Sequence, residues 1–291
     1  MTAAIPDGTA YHRPSSVKTI HELLNEHGDS AKIVAGGQSL ILLLRQDMLD
    51  PDVVIDITEA DELAGVDKSS DTIRIGATVR YVELLESRLA ARYEFLGEAI
   101  EVIADPQVRN MGTIGGAISH ADPYLDIVPP LLCLDATIEI SSVDGRRSIP
   151  LEEFPWGYLE TNLESNEIVE AIEFEDWDVT GAYEKVSNVH GGWATVGVAA
   201  TVSMSSGHLD SVQVALAGVD DTAVRSPTVE STLAGKQPTE EAVRDAANEV
   251  VSDINPLSDM TGSAEYKAKV ARNLTRKSIL SAIDKQEGYD D

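Results

Sequence analysis

Residues 35–40 read AGGQSL, and residues 113–118 read TIGGAI. Each stretch sets a Gly-Gly pair between apolar residues. The first pair stands where a short apolar strand, AKIVAGG, runs out and SLILLLRQDML begins as a helix expected to be buried. Glycine has no Cβ, so successive backbone N–H groups can turn outward and approach a ligand closely. A strand that ends in Gly-Gly before a helix aims several N–H groups at one point, which makes an anion site from fixed dipoles. Gln38, Ser39 and Thr113 add side-chain donors. Neither stretch is a nucleotide motif alone: no GxGxxG follows the first strand, and there is no GxxxxGK[ST]. One Gly-Gly turn is ordinarily just a turn. Two with these flanks suggest a diphosphate held from two sides, and so a dinucleotide bound without Rossmann geometry.

Outward from the first pair, SSVKTIHELLNEHG reads as a capped helix. Ser15 or Ser16 starts it, Val17, Ile20, Leu23 and Leu24 form one face, and Gly28 stops it. VVIDIT and TIRIGAT read as strands, VRYVELLESRL and EFLGEAIEVIA as amphipathic helices, and NMGTIGGAISHADP as a loop. ATIEISS, EIVEAIEFE and AYEKV are strands again. The acidic turn EDWDVTG marks a boundary near Trp177–Gly181, which gives expected domains at 1–178 and 179–291. Beyond it, GVAATVSM and LDSVQVALAGV form an antiparallel pair joined at Ser205–Gly207, followed by three helices. The pattern is mixed α and β. The last helix carries Lys267, Lys269, Arg272, Arg276 and Lys277. That face reads either as solvated or as a docking face for another acidic subunit.

The 291 residues are 43% hydrophobic, enough for real cores in one or two domains. No apolar run reaches membrane-span length, and MTAAIPDGTA shows no secretory signal, so the expected location is the cytoplasm. Fifty acidic residues face 22 basic ones, a net charge of −28. Nucleic-acid binding needs the opposite sign. The acids are spread along the whole chain, which points to adaptation to high salt. At about 1 M salt the Debye length is roughly 3 Å and self-repulsion is screened. Such a chain must hold a phosphate with local donors, not with a long-range field. Cys133, the single cysteine, sits among apolar residues in PPLLCLDATIEI and reads as a core thiol. It cannot by itself hold an iron–sulfur cluster, and the six histidines show no metal spacing.

Three longer stretches carry a resemblance. YHRPSSVKTIHELLNEHGDSAKIVAGGQSL, IADPQVRNMGTIGGAISHADPYLDIVPPLL and NPLSDMTGSAEYKAKVARNLTRK stand in that order across nearly the whole chain. Together the sequence resembles the FAD-binding medium subunit of molybdenum hydroxylases, the family of aerobic-type carbon monoxide dehydrogenase and xanthine dehydrogenase. The resemblance implies an α+β fold: a two-lobed FAD-binding domain of the PCMH/vanillyl-alcohol-oxidase type, then a smaller α+β domain. FAD would lie between the lobes. Ala35, Gly36, Gly37, Gln38 and Ser39, with Thr113, Ile114, Gly115 and Gly116, would hold its diphosphate. Lys32 and Ile33 would line the cofactor, and Ala104 would sit near the flavin or its chain. Asp126 would accept from the adenosine, Ile168 would pack on the adenine, and Lys185 would lie near the isoalloxazine, where its charge would help stabilise reduced flavin. The residues alone leave other readings open: Asp126 as a surface acid, Lys185 as a strand-edge lysine, Ile168 as core, and His120 as hydrogen-bonded structure. Ala117 stands where some relatives have Asn or Ser, which removes one side-chain donor.

The resemblance further implies a heterotrimer with a large molybdopterin-binding subunit and a small [2Fe–2S] subunit, itself dimerising. Electrons would reach FAD here from the clusters and leave to an external acceptor, with no side chain acting as acid or base. A stand-alone FAD-dependent reductase of the same fold is the alternative. It would need basic residues for a phosphorylated substrate, and the second domain has few outside its last helix. A non-enzymatic assembly protein would bind no flavin at all.

Overall fold

The computed structural model describes residues 6 and 8–289. Its first lobe is a small parallel sheet. β1 (Ala10–His12) and β2 (Ala31–Val34) flank β3 (Val53–Asp56), all three in the same direction. Parallel neighbours need crossovers, and α1 (Val17–His27) supplies the first. The Ser16 side chain caps it by accepting from the Thr19 amide, Val17, Ile20 and Leu24 are buried, and Gly28 ends it at φ 50°. The second crossover contains α2 (Leu40–Arg45), where the structure departs from expectation. The helix has only six residues, Leu44 alone is buried, and Leu42 and Met48 are exposed. An unbroken run of apolar residues has no polar face from which to read its orientation.

The second lobe is an antiparallel sheet. β4 (Val66–Ser69) and β5 (Thr72–Gly76) lead into a helical excursion. The two amphipathic segments expected there form three helices: α3 (Tyr81–Leu85), α4 (Arg88–Arg92) and α5 (Glu94–Glu101). α6 (Pro106–Met111), α7 (Ile114–His120) and α8 (Val128–Leu132) follow. The chain returns through β6 (Thr137–Ser142) and β7 (Gly145–Pro150), a small hairpin of β8 (Pro155–Gly157) and β9 (Glu160–Thr161), and β10 (Ile168–Glu175). The five-stranded order is β4-β5-β10-β6-β7.

β10 ends at Glu175, and a separate four-stranded sheet opens with β11 (Thr180–Val186). β12 (Val196–Ser205) and β13 (His208–Ala217) form its hairpin, closed by Ser206 and Gly207 at φ 53° and 77°. Two consecutive residues with positive φ match the twist of the strands they join. β14 (Val224–Arg225), α9 (Pro227–Leu233), α10 (Glu240–Asn248) and α11 (Ala264–Tyr289) complete the chain. β12 is buried almost throughout because both of its faces are covered. Val198, Ala200 and Val202 join the core under the three helices, whereas Ala199, on the opposite face, joins the core of the first domain. Small residues let that face approach closely: a Cβ on Gly181 would stand 2.6 Å from the Phe95 ring. Cys133 lies in the same seam, fully buried, and burial pushes its thiol well up. Among the described residues no helix is long and apolar enough to cross a membrane, and no His/Cys/Asp/Glu group could hold a metal ion.

Candidate functional site

Three parallel strands that share a direction also share a carboxyl end, the usual edge for a ligand in such a sheet. Arg13, Ala35 and Thr58, just beyond β1, β2 and β3, line a cavity of about 590 Å³. Its opposite wall comes from the second lobe, with Thr78, Val79, Arg80 and Thr113. The cleft therefore lies between the two lobes. Asp56 ties its floor together: it is buried, takes the Tyr11 hydroxyl, the Thr58 amide (3.0 Å) and hydroxyl (2.6 Å), and lies 3.4 Å from Arg13. Burial and the bond to Asp56 push the Tyr11 phenol up to about 12.

The first glycine pair follows directly on Ala35, which lines this cavity. The two glycines differ in purpose. Gly37 sits at φ 70°, a left-handed turn that favours glycine. Gly36 has ordinary φ but no room: a Cβ there would stand 2.2 Å from the Met111 carbonyl oxygen. The loop thus lies directly against the turn that leads to Thr113. The Gln38 side chain donates back to the Gly36 carbonyl at 3.0 Å and fixes the loop's shape. Among the described residues, the amides of Gly36, Gly37, Gln38 and Ser39 donate to no protein acceptor. Four consecutive free N–H groups at the end of a strand are what an anionic group needs. Lys32 and Ile33, half-buried on β2, stand immediately before this loop.

The second pair is built differently. TIGGAI is not a loop but the start of α7, with Thr113 as its N-cap. The hydroxyl of Thr113 accepts from the Gly116 amide at 3.2 Å. The amides of Ile114 and Gly115 are already spent on the carbonyls of Val79 and Ala77. A Cβ on Gly115 would sit 2.4 Å from that of Ala77, so this glycine permits close backbone packing on β5. Free donors therefore concentrate in the first pair. What the second contributes to the cleft is the Thr113 side chain, beside the same cavity as Ala35.

Asp126 and Lys185 come together. They are 59 positions apart in sequence, yet the Lys185 ammonium lies 2.7 Å from Asp126 Oδ2, and both side chains are buried. The Tyr183 hydroxyl donates to Oδ1 at 2.6 Å, so each carboxylate oxygen has a partner. A Cβ on Gly197 would overlap the Tyr183 hydroxyl, so that glycine keeps the path open. Burial raises the Asp126 carboxyl above its ordinary value, and Lys185 and Tyr183 work against that rise. The sequence reading set Asp126 at the adenosine and Lys185 at the isoalloxazine, and the structure brings the two side chains to one place. Asp126 is also not a surface acid. Lys185 donates in addition to the Val102 carbonyl at 3.1 Å, two residues before Ala104. Ala104 stands at φ 43°, unusual for alanine, at the turn into α6. Ile168 is 1% exposed and packs within the first-lobe core.

Two features escaped the sequence reading. A third glycine pair, Gly191-Gly192 in HGGW, packs on Ala104: a Cβ on Gly191 would sit 2.4 Å from the Ala104 carbonyl oxygen. Its signal was visible as a Gly-Gly pair, but no strand-to-helix context drew attention to it. Tyr183 carried no signal at all. Lys267 was expected on a basic helix face and is instead buried, its ammonium 2.5 Å from Asp259 and stacked over the Tyr124 ring.

Residues 7–175 match the family described as the FAD binding domain in molybdopterin dehydrogenase, and residues 181–282 match the CO dehydrogenase flavoprotein C-terminal domain. The chain is 36% identical to the carbon monoxide dehydrogenase medium chain of Hydrogenophaga pseudoflava, over 96% of this chain and 98% of that one. It is 37% identical to the glyceraldehyde dehydrogenase medium chain of Sulfolobus acidocaldarius, over 94% and 98%. The solved carbon monoxide dehydrogenase of H. pseudoflava that lacks the Mo-pyranopterin moiety superposes with a TM-score of 0.92, covering 96% of this chain and 99% of that one. Quinoline 2-oxidoreductase from Pseudomonas putida 86 superposes with a TM-score of 0.91 at 28% identity, covering 97% and 99%.

Proposed function

Because the chain belongs to the family of FAD-binding medium subunits of molybdenum hydroxylases, and is thus an FAD-dependent oxidoreductase subunit, we propose that it passes electrons from a [2Fe–2S] partner subunit to an external acceptor. The free amides of Gly36–Ser39 carry the proposal: they supply the donors a diphosphate requires, beside a cleft of about 590 Å³ between two lobes. FAD, when bound, accepts electrons singly or in pairs and so joins one-electron clusters to a two-electron acceptor. The protein's own residues bind and orient. In this reading the first-loop amides and the Thr113 hydroxyl hold phosphate, the Thr113 oxygen still accepting from the Gly116 amide. Asp126, Lys185 and Tyr183 act as one unit that fixes the turn at Ala104, where we place the flavin end.

Relatives named for carbon monoxide and for glyceraldehyde are almost equally similar to this chain. Substrate choice therefore belongs to a partner subunit. With a single cysteine, which is buried, the chain would depend on a partner for any iron–sulfur cluster.

The test is the visible spectrum of the purified chain after mixing with FAD and desalting in concentrated salt. Flavin bands should be retained by the wild type and lost in Gly37→Val, whose side chain does not fit φ 70°, while the circular-dichroism spectrum stays native. Full retention by Gly37→Val overturns the cradle. Reduction of the bound flavin by a hydroxylase substrate without partner subunits overturns the relay.

A further inference from the structure

Two arginines line the cleft between the lobes, Arg13 from the first and Arg80 from the second. Among the described residues that line it, Glu83 is the one acid. That is two cations to one acid, in a chain where acids outnumber cations 50 to 22. A reversal of charge confined to one cavity suits an anion. Both arginines also adjoin the donors already described. His12 and Ile33 both stand opposite Ile55, so Arg13 follows β1 where Val34 ends β2, and Ala35 comes next. Two strand spacings, about 10 Å, separate the Arg13 backbone from that end, and a long side chain covers much of the gap. Arg80 pairs through its backbone with Thr113, and the Tyr81 amide donates to the Gly112 carbonyl at 3.0 Å. Met111 and Gly112 are the backbone against which Gly36 rests.

Neither guanidinium is locked into the fold. Arg13 meets Glu59 at 2.9 Å, the Thr58 hydroxyl at 3.1 Å and Asp56 at 3.4 Å, and Arg80 meets Glu83 through Nη2. The two side chains are 50% and 46% exposed, and so are their outer partners, Glu59 at 53% and Glu83 at 44%. Exposed pairs of this kind are weak, so an anion can take the place of the carboxylate. Each guanidinium has five N–H donors in a fork that fits phosphate oxygens. The Arg80 guanidinium holds the Glu83 carboxyl below its ordinary value, so at neutral pH Glu83 is a charged competitor for that site. The free amides of Gly36–Ser39 offer partial charges only, whereas a diphosphate brings full ones against the field of a chain at −28.

We infer, building on the FAD reading above, that Arg13 and Arg80 clamp the cofactor's diphosphate from opposite lobes and that the phosphates displace Glu59 and Glu83. The amides of the first loop fix where the phosphates sit, and the two arginines neutralise them. Because each lobe supplies one cation, the bound diphosphate also ties the lobes together.

The test measures dissociation constants of the purified full-length chain in concentrated salt: FAD and riboflavin by flavin fluorescence, ADP by displacement of FAD. Arg13→Met and Arg80→Met should each weaken FAD and ADP by about tenfold and leave riboflavin, which has no phosphate, within about twofold. Glu83→Gln keeps an acceptor for the Arg80 amide, now at 2.9 Å, and loses the competing charge, so FAD and ADP should bind several-fold tighter. Lys18→Met removes a cation that pairs with Glu22 on α1, outside the cleft, and should change none of the three. Arg80→Met breaks only a half-exposed pair, which keeps the test valid should Arg13→Met fail to fold. Unchanged FAD and ADP binding in either arginine variant, with native circular dichroism, overturns the inference. So does equal weakening of riboflavin, or equal weakening by Lys18→Met, which would make the effect one of net charge. A folded wild-type chain that takes up neither FAD nor ADP sinks the cofactor reading instead, and the clamp with it.

Discussion

Lys185 carries two bonds in one buried place, to Asp126 and to the Val102 carbonyl, and Tyr183 donates to the other oxygen of Asp126. Removing one partner of such a pair strands the other charge away from water, at a cost of about 3–5 kcal/mol. Removing both leaves neither stranded. Lys185→Met is therefore expected to destabilise strongly, and the Asp126→Asn, Lys185→Met double variant to lose clearly less than the sum of its parts. Urea melts at fixed high salt measure this, and strict additivity would show that the two groups are not coupled. This pair also marks the limit of sequence reading at the scale of residues. Asp126 and Lys185 each stood out by resemblance, but nothing local says that they touch, because the contact is made by a strand of the second domain returning to the first. Gly36, Gly37 and Gly115 show a subtler limit. All three are recognisable as special, yet one is needed for φ and two for close backbone approach, and only the fold separates those reasons.

The buried side of a helix was legible where it has a polar face and not where it lacks one. α1 could be read to its cap and its stop because charged residues alternate with Val17, Ile20 and Leu24. α2 could not, since LILLL shows no face. α7 was taken for a loop because two glycines and a following turn hide a seven-residue helix whose cap is Thr113. The turn between β10 and β11 is acidic, and one of its acids has a defined task. Asp176 receives the Tyr93 hydroxyl at 2.7 Å and Arg92 at 2.6 Å, together with Lys68. Desolvation raises its carboxyl, but the bonds from Lys68, Tyr93 and Arg92 outweigh that and hold it down at about 2, against 3.8 ordinarily. A depressed carboxyl stabilises the fold above its unfolded value, and that contribution is lost as pH falls from about 4 through about 2. Lys68 and Arg92 are half exposed, so solvent screens the pairs, and Asp176→Asn should cost only about 1–2 kcal/mol at neutral pH. The difference between variant and wild type should shrink as the pH approaches 2. A stability gap that persists unchanged there would remove the ionised carboxyl from the account.

Over the whole molecule the decisive quantity is the imbalance of charge. If every one of the 22 cations were paired with an acid, 28 acids would still lack a cation. The pairs that join the domains, such as Lys285 with Glu98 and Arg225 with Asp135, are attractive and gain strength as salt is withdrawn. Both are partly exposed, however, and each acts over a few ångströms. The excess negative charge acts over the Debye length, which grows from roughly 3 Å at about 1 M to about 30 Å at 0.01 M salt. At the lower limit every acid on both domains feels the others, and repulsion summed over the surface exceeds what a few exposed pairs add at about 0–1 kcal/mol each. Dialysis from concentrated KCl to dilute buffer should therefore unfold the chain, with loss of far-ultraviolet circular dichroism that returns when salt is restored. Sodium sulfate should protect at lower concentration than KCl, because it also strengthens apolar burial, whereas an effect of screening alone would follow ionic strength regardless of the salt. A spectrum unchanged in dilute buffer would mean that the packing between β12, α11 and the first domain outweighs the repulsion, and that the acidic coat serves solubility and not stability.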